Sequence, residues 1–263
     1  MDFGLEGKVA LVAASSRGLG KAAAREISRE GADVVISARG KSTLKEAAEE
    51  IWQETGGRVL PVQADVTLEK DIESLIEAAE SEFGQVDVLV NNAGGPKPGT
   101  FTDMSDEDWL GAINLNLMST IRLTRLVLPG MRARRWGRII NITSFSVKQP
   151  IPDIILSNTA RAGVAAMAKT LAGQVADEGI TVNNVCPGYI LTDRVRNLAA
   201  STAQEEGTET KEILADWESR IPADRLGKPE ELAALITFLA SERASYITGT
   251  TIQVDGGLIK SLL

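Results

Sequence analysis

Histidine is absent from this 263-residue chain, and cysteine occurs once, at Cys186. The first absence removes the side chain that most often shuttles protons near neutral pH and is the commonest metal ligand. Together the two leave no ligand set for zinc, and no metal is expected. A lone cysteine excludes an intrachain disulfide and fits a reducing compartment, so the expected location is cytoplasmic. Cys186 reads as a small buried packing residue, because no basic neighbour in sequence would activate its thiol. Positive charge is also scarce: 28 Lys and Arg stand against 36 Asp and Glu, a net charge of −8. That balance lacks the basic footprint of a nucleic-acid or anionic-lipid binder. The one basic cluster, Arg132-Ala133-Arg134-Arg135, reads as a helix end meeting water. No apolar run approaches the ~20 residues needed to span a bilayer. Residues 1–8 lack the basic start and apolar centre of a signal peptide. Neither nucleic acid nor membrane is an expected partner.

What the chain does have is apolar residues, 43% of the total, enough for one core, and residues 1–263 are expected to form a single domain. Short β-branched runs alternate with longer helical patterns. Strands are expected at 8–14, 33–38, 58–63, 86–90, 138–143, 181–186 and 251–255. Helices are expected at 21–30, 44–54, 68–83, 106–134, 154–176 and 230–240, with Pro129 bending or ending the fourth of them. A continuous apolar run such as Val9-Ala10-Leu11-Val12 marks a strand buried on both faces. Strict alternation implies right-handed crossovers with helices on both sides. The fold class is therefore α/β, a doubly wound, Rossmann-like parallel sheet of about seven strands. Residues 195–221, polar and acidic, interrupt the alternation. They follow a strand end, where open sheets bind ligands, and read either as a substrate lid or as a solvated helical excursion. Trp217 within them is placed to touch either a substrate or the core.

The first strand runs through Ala14-Ser15-Ser16-Arg17-Gly18-Leu19-Gly20 straight into a helix. A small-residue turn at a helix N-terminus presents free N–H groups and the positive end of the helix dipole to an anion. Gly18 and Gly20 allow close approach of a pyrophosphate and close packing of helix on strand. A dinucleotide with a free ribose 2′-hydroxyl wants a carboxylate about 20 residues further on. Here that place reads Ser37-Ala38-Arg39, without an acid. Arg39, together with Arg17, suits a 2′-phosphate instead, and the expected cofactor is NADP(H).

With those motifs in view, the chain resembles the short-chain dehydrogenase/reductase family along nearly its whole length. Its general likeness is to the 3-oxoacyl-carrier-protein-reductase-like members. The glycine turn matches the family's, with Ala13 and Ala14 in place of its first two residues. Asp65-Val66 resembles the pair that contacts adenine, and Asn91-Asn92-Ala93-Gly94 the motif after the fourth strand. Pro187-Gly188-Tyr189-Ile190-Leu191-Thr192 resembles the loop against the nicotinamide, with Thr192 at the carboxamide. Gln253-Val254-Asp255-Gly256-Gly257 resembles the C-terminal signature. The resemblance implies an oxidoreductase domain that interconverts a carbonyl and a hydroxyl group, with 3-oxoacyl thioesters as the model substrates. It also implies a homo-oligomer, usually a tetramer.

The family's chemistry uses an Asn, a Ser, a Tyr and a Lys. By resemblance, Asn116 in Asn116-Leu117-Met118-Ser119 matches the Asn that holds a relay water. Ser144 matches the Ser that bonds the substrate oxygen. The Tyr-x-x-x-Lys pair is replaced by Ser157-Asn158-Thr159-Ala160-Arg161, followed by Ala162-Gly163-Val164. Spacing i, i+4 keeps Ser157 and Arg161 on one helix face. A serine hydroxyl is a far weaker acid than a phenol of pKa about 10. Arg161 keeps the charge for the ribose hydroxyls, but with a pKa above about 12 it releases no proton at neutral pH. Three readings stay open. Ser144 and Ser157 position the substrate while Arg161 steadies the oxyanion and a water supplies the proton; or Tyr189 replaces the phenol; or the site binds NADPH without turnover, as a regulatory or scaffold module.

Overall fold

Alternate residues of a strand face opposite ways, and the first strand shows what that means here. In β1 (Val9–Val12) all four residues are buried; Ala10 and Val12 enter one core, Val9 and Leu11 another. The computed structural model describes residues 2–262. Along the chain β1 is followed by α1 (Gly18–Arg29), β2 (Asp33–Ala38), α2 (Lys41–Thr55), β3 (Val59–Gln63), α3 (Glu69–Phe83) and β4 (Val88–Asn91). Then come α4 (Asp106–Ala112), α5 (Ser119–Arg134), β5 (Gly137–Ile142), α6 (Ile155–Val175) and β6 (Ile180–Pro187). The chain ends with α7 (Asp193–Glu206), α8 (Thr210–Ser219), α9 (Pro229–Ala240) and β7 (Thr251–Val254). The sheet is parallel throughout, in the order β3-β2-β1-β4-β5-β6-β7. Helices α1, α2 and α9 cover one face through residues such as Ile27, Ile51 and Ile236, and α3, α5 and α6 the other through Leu75, Val127 and Ala172. This is the doubly wound sheet the alternation predicts. Its order reverses between β1 and β4, the place where such sheets bind ligands.

A polar seam crosses the buried half of the sheet. Asn91 donates through Nδ2 to Oδ1 of Asn141 (2.8 Å), Asn141 to Asn184 (2.9 Å), and Asn184 to Oγ1 of Thr251 (3.1 Å). These residues stand opposite one another in the strand register, so the seam runs straight from β4 to β7. Buried carboxamides are tolerated here because all but one of their seam-facing groups, Oδ1 of Asn91, find partners on neighbouring strands or on Thr124.

One local expectation is corrected, and two are refined. The helix expected over 106–134 is interrupted at Ile113–Met118, which is π-helical, and not at Pro129, through which α5 continues to Arg134. Pro129 is exposed, so the carbonyl freed four residues earlier, at exposed Arg125, meets water, while buried Val127 and Met131 hold the helix on the sheet. Residues 195–221 are regular: α7 and α8 share a small core of Ala199, Ala203, Ile213, Trp217 and Ile221. The arginines of 132–135 are exposed at the end of α5, as expected, and also find partners in the chain: Arg132 pairs with Glu178 at 2.9 Å, Arg134 lies 3.4 Å from buried Asp87, and Arg135 donates to the carbonyl of Asp177. No helix among the described residues is long and apolar enough to cross a membrane.

Candidate active site

The turn after β1 is clamped from below. Buried Ser15 donates through Oγ to the carbonyl of Val12 (2.6 Å), and the same oxygen accepts from Ser37 N (3.1 Å). Ala14 takes φ +47° and Gly18 φ +59°. Gly20 is required by space: a Cβ there would lie 2.8 Å from the Ala14 carbonyl oxygen and 2.9 Å from Asn92 Nδ2. Asn92 bonds that same carbonyl at 3.0 Å and so joins the end of β4 to the turn. Arg17 is the N-cap of α1 with no side-chain cap bond, and the first turn of α1 has no acidic residue. Its leading N–H groups are therefore open at the switch point between β1 and β4, with half-buried Ser16 and Leu19 beside them. Uncapped amides, a positive helix end and a glycine packed against backbone fit a pyrophosphate.

Around this turn stand the other residues singled out from sequence. Arg39 leaves the end of β2 with 82% of its side chain exposed, its Nη1 4.0 Å from Asp65 Oδ2. Asp65 also accepts from the N–H and hydroxyl of Thr67, at 2.9 and 2.8 Å, and Val66 beside it is buried. Arg17 is exposed on the turn itself. From β6, Pro187 leads into Gly188, where a Cβ would lie 2.8 Å from Asp255 Cα, and Ile190 is buried below. Thr192 caps α7, its Oγ1 accepting from Val195 N at 3.4 Å. Its methyl lies 3.6 Å from the Cβ position of Gly18, so the β6 loop closes over the glycine turn.

Asn116, Ser144, Ser157 and Arg161 come from three elements. Asn116 lies in the π-helical stretch, donates through Nδ2 to the Gly94 carbonyl (2.9 Å), and buries an Oδ1 with no partner. Ser144 follows β5, and its Oγ accepts from Ser146 N at 3.1 Å. Ser157 Oγ accepts from Arg161 Nε at 3.2 Å, as the i, i+4 spacing predicts. Arg161 Nη1 donates to the carbonyls of Ile142 (3.0 Å) and Thr143 (3.1 Å). Its Nη2 faces those of Ala93 and Gly94, both at 3.4 Å. All five N–H groups of the guanidinium thus point at protein acceptors. Arg161 ties the ends of β4 and β5 to α6 and donates to buried Ser157. Burial, then the charge of Arg194, pushes its pKa down to about 10.

The family model described as Enoyl-(Acyl carrier protein) reductase matches residues 13–259. The 3-oxoacyl-[acyl-carrier-protein] reductase FabG of Escherichia coli (strain K12) is 41% identical over 258 residues, 98% of this chain and 99% of that protein. The enzyme of the same name from Haemophilus influenzae is 40% identical over 257 residues, 98% of this chain and 100% of its own. Among solved structures, L-sorbose reductase from Gluconobacter frateurii, complexed with NADPH and L-sorbose, superposes with a TM-score of 0.96 at 39% identity and covers 100% of both chains. The chain belongs to the short-chain dehydrogenase/reductase family. It is an oxidoreductase by that membership, and the comparisons give the binding-only alternative no support.

Two features of this short-chain dehydrogenase/reductase site escape the sequence reading. The first is Arg194, in the opening turn of α7, whose guanidinium lies over Gly94 and Gly95. A cation at a helix N-terminus opposes the dipole, and that misplacement was the available signal. The second is an aromatic stack. Tyr189 lies parallel to Trp217 (5.1 Å between centroids, 12° between planes) and 5.5 Å from Phe145, which follows Ser144. Trp217 therefore packs on the β6 loop. Burial pushes the Tyr189 phenol above its ordinary pKa, which makes it a poorer acid. Tyr189→Phe is expected to change kcat by less than about threefold, because stacking keeps the ring in place. A loss near the 10²–10⁴ range typical of a missing general acid would restore Tyr189 as the proton donor. Cys186 is buried, with the Thr143 hydroxyl 3.1 Å from its sulfur, and burial raises its pKa.

Proposed function

We propose that this protein is an NADP(H)-dependent reductase that interconverts a carbonyl and a hydroxyl group. The 3-oxoacyl thioesters named by its relatives are the first substrates to test. The observation that carries this reading is a pair of prepared donors. Ser144 and Ser157 each accept a hydrogen bond from the protein, so each keeps its own O–H to give to a carbonyl oxygen. For the cofactor, the amides from Ala14 and Ser16 through Gly18, Leu19 and Gly20 would hold the pyrophosphate. Arg17 and Arg39 would take the 2′-phosphate, and Asp65 and Val66 would face the adenine. Asn92, Ala93 and Gly94 would line the middle, and Pro187, Gly188, Ile190 and Thr192 the nicotinamide end. The bound dinucleotide supplies a hydride to the carbonyl carbon.

The two serine hydroxyls hold the oxyanion that this transfer creates; one such donor is commonly worth about 10²–10³ in rate. Arg161 acts through Ser157: accepting from a cation makes that hydroxyl a stronger donor. The guanidinium keeps its proton, so the proton that completes the alcohol comes from solvent water. Asn116, with its free carbonyl oxygen, would steady the water's path. Residues 195–221, folded as α7 and α8, would cover the substrate as a lid on the Tyr189–Trp217 stack, and residues 1–263 act as one unit. An apolar groove between α5 and α6, lined by Ile121, Leu128, Met167 and Leu171, suits a second copy of the chain in a homo-oligomer, a tetramer by family resemblance. A single buried cysteine suits the cytoplasm.

The test is NADPH oxidation with 3-oxoacyl thioesters and simple ketones across pH. Neither Asn116, Ser144 nor Ser157 titrates, Cys186 and Tyr189 are pushed upward, and Arg161 loses its proton near pH 10. The expected profile of kcat is therefore flat from about pH 6 to 8.5 and falls above about pH 9.5, as Arg161 loses the charge that strengthens Ser157. An inflection near pH 7 would show a proton donor other than water. Binding of NADPH with no oxidation on any carbonyl would sink the proposal.

A further inference from the structure

Many of the positively charged side chains of this acidic protein are paired with carboxylates. Arg25, Arg29, Arg58, Arg132 and Arg225 all stand within 4.0 Å of carboxylates. Arg194 is exposed and its side chain, like those of Arg17 and Arg196, makes no hydrogen bond or ion pair with any described residue. Its guanidinium nevertheless has a definite place, since a Cβ on Gly95 would lie 2.8 Å from Cζ and 2.9 Å from Nη1. Gly94, beside it, offers its carbonyl to both Asn116 and Arg161. Two guanidinium groups therefore meet at the end of β4 with no carboxylate between them, and Arg194 helps depress the Arg161 pKa. Like charges held together cost free energy, and an anion bound there would recover it. Thr192, two residues earlier, covers Gly18 of the pyrophosphate turn, whereas the Arg194 guanidinium lies over Gly94 and Gly95, next to the carbonyl that Asn116 and Arg161 share.

We infer that Arg194 is a specificity residue that takes a carboxylate carried by the carbonyl substrate, selecting oxo acids over the uncharged esters of the same acids. This rests on the carbonyl-reductase reading for the reacting group, but the anion site itself is testable without turnover. A guanidinium fork suits a carboxylate in two parallel hydrogen bonds, and all five of its N–H groups are free to form them. The experiment is calorimetric titration of NADP-loaded protein with pyruvate, acetoacetate and 4-oxopentanoate and with their methyl esters. It is run on the wild type, Arg194→Gln and Arg194→Lys. At least one acid is expected to bind the wild type about 10- to 100-fold more tightly than its ester. That ratio should fall below about threefold in Arg194→Gln and be partly kept in Arg194→Lys. No preference for any acid in the wild type overturns the inference. So does an Arg194→Gln variant that keeps the preference but binds NADP itself tenfold more weakly, since the guanidinium would then serve the dinucleotide phosphates. Selective binding of an acid, with no NADPH oxidation on it or on any other carbonyl, supports the anion site while sinking the carbonyl-reductase reading.

Discussion

Gly20→Val is expected to weaken NADPH binding at least 100-fold, measured by fluorescence titration, and to lower Tm by about 5 °C. The first β-carbon alone would lie 2.8 Å from the Ala14 carbonyl oxygen and 3.0 Å from Ser15 Cα. These are backbone atoms of the very turn that fits the pyrophosphate, so they yield only by moving it. Overpacking of this kind costs about 1–3 kcal/mol. For a chain of this size each kcal/mol shifts Tm by roughly 2–4 °C. Gly173→Ala in α6 is the matched control. Nothing lies within 4 Å of its Cβ position, and replacing a helical glycine is expected to stabilise by about 0.5–1 kcal/mol. Equal NADPH affinity in the Gly20 variant and the wild type would remove the turn from the binding site.

Arg161→Ala is expected to lower kcat at least 100-fold while NADPH affinity changes less than tenfold, and to cost about 3 kcal/mol of stability in urea unfolding. The side chain bridges carbonyls at the ends of β4 and β5 and donates to Ser157, which the proposed mechanism makes the stronger donor. Its loss orphans several acceptors at once, each worth about 1–3 kcal/mol when left buried and unpaired, with water recovering part of that at the exposed edge. Arg161→Lys keeps the charge but not the fork. It should return part of kcat and less of the stability, which separates the electrostatic role from the architectural one. A variant Arg161→Ala with near-normal turnover would mean that Ser157 needs no activation.

The order of strands and helices was readable because alternation and glycine punctuation are local signals. Gly18 and Gly20 mark the turn for the same reason. What holds the turn is not local: Asn92 is 78 residues from Ala14, and Ser37 is 22 from Ser15. Likewise, spacing brought Ser157 to Arg161, whereas the carbonyls that occupy Arg161 come from 18 to 68 residues away. The π-helical stretch was hidden because Ile113–Met118 lies between α4 and α5, and a wider turn inside a continuous helix leaves no mark on composition. In 195–221 the i, i+4 pairs Ala199/Ala203 and Ile213/Trp217 were present but diluted by surrounding charges, so two packed helices read as an irregular polar stretch.

The asparagine seam works like a keyed joint. Sliding β6 by one residue against β5 would offer Asn183 or Val185 to Asn141 in place of Asn184, stranding carboxamides at about 1–3 kcal/mol each. Ser144 and the Pro187 loop ride on two strands locked in this way, so the floor beneath a substrate has one permitted setting. On the lid reading proposed above, adjustment to ligands of different length falls to α7 and α8, which carry a separate small core.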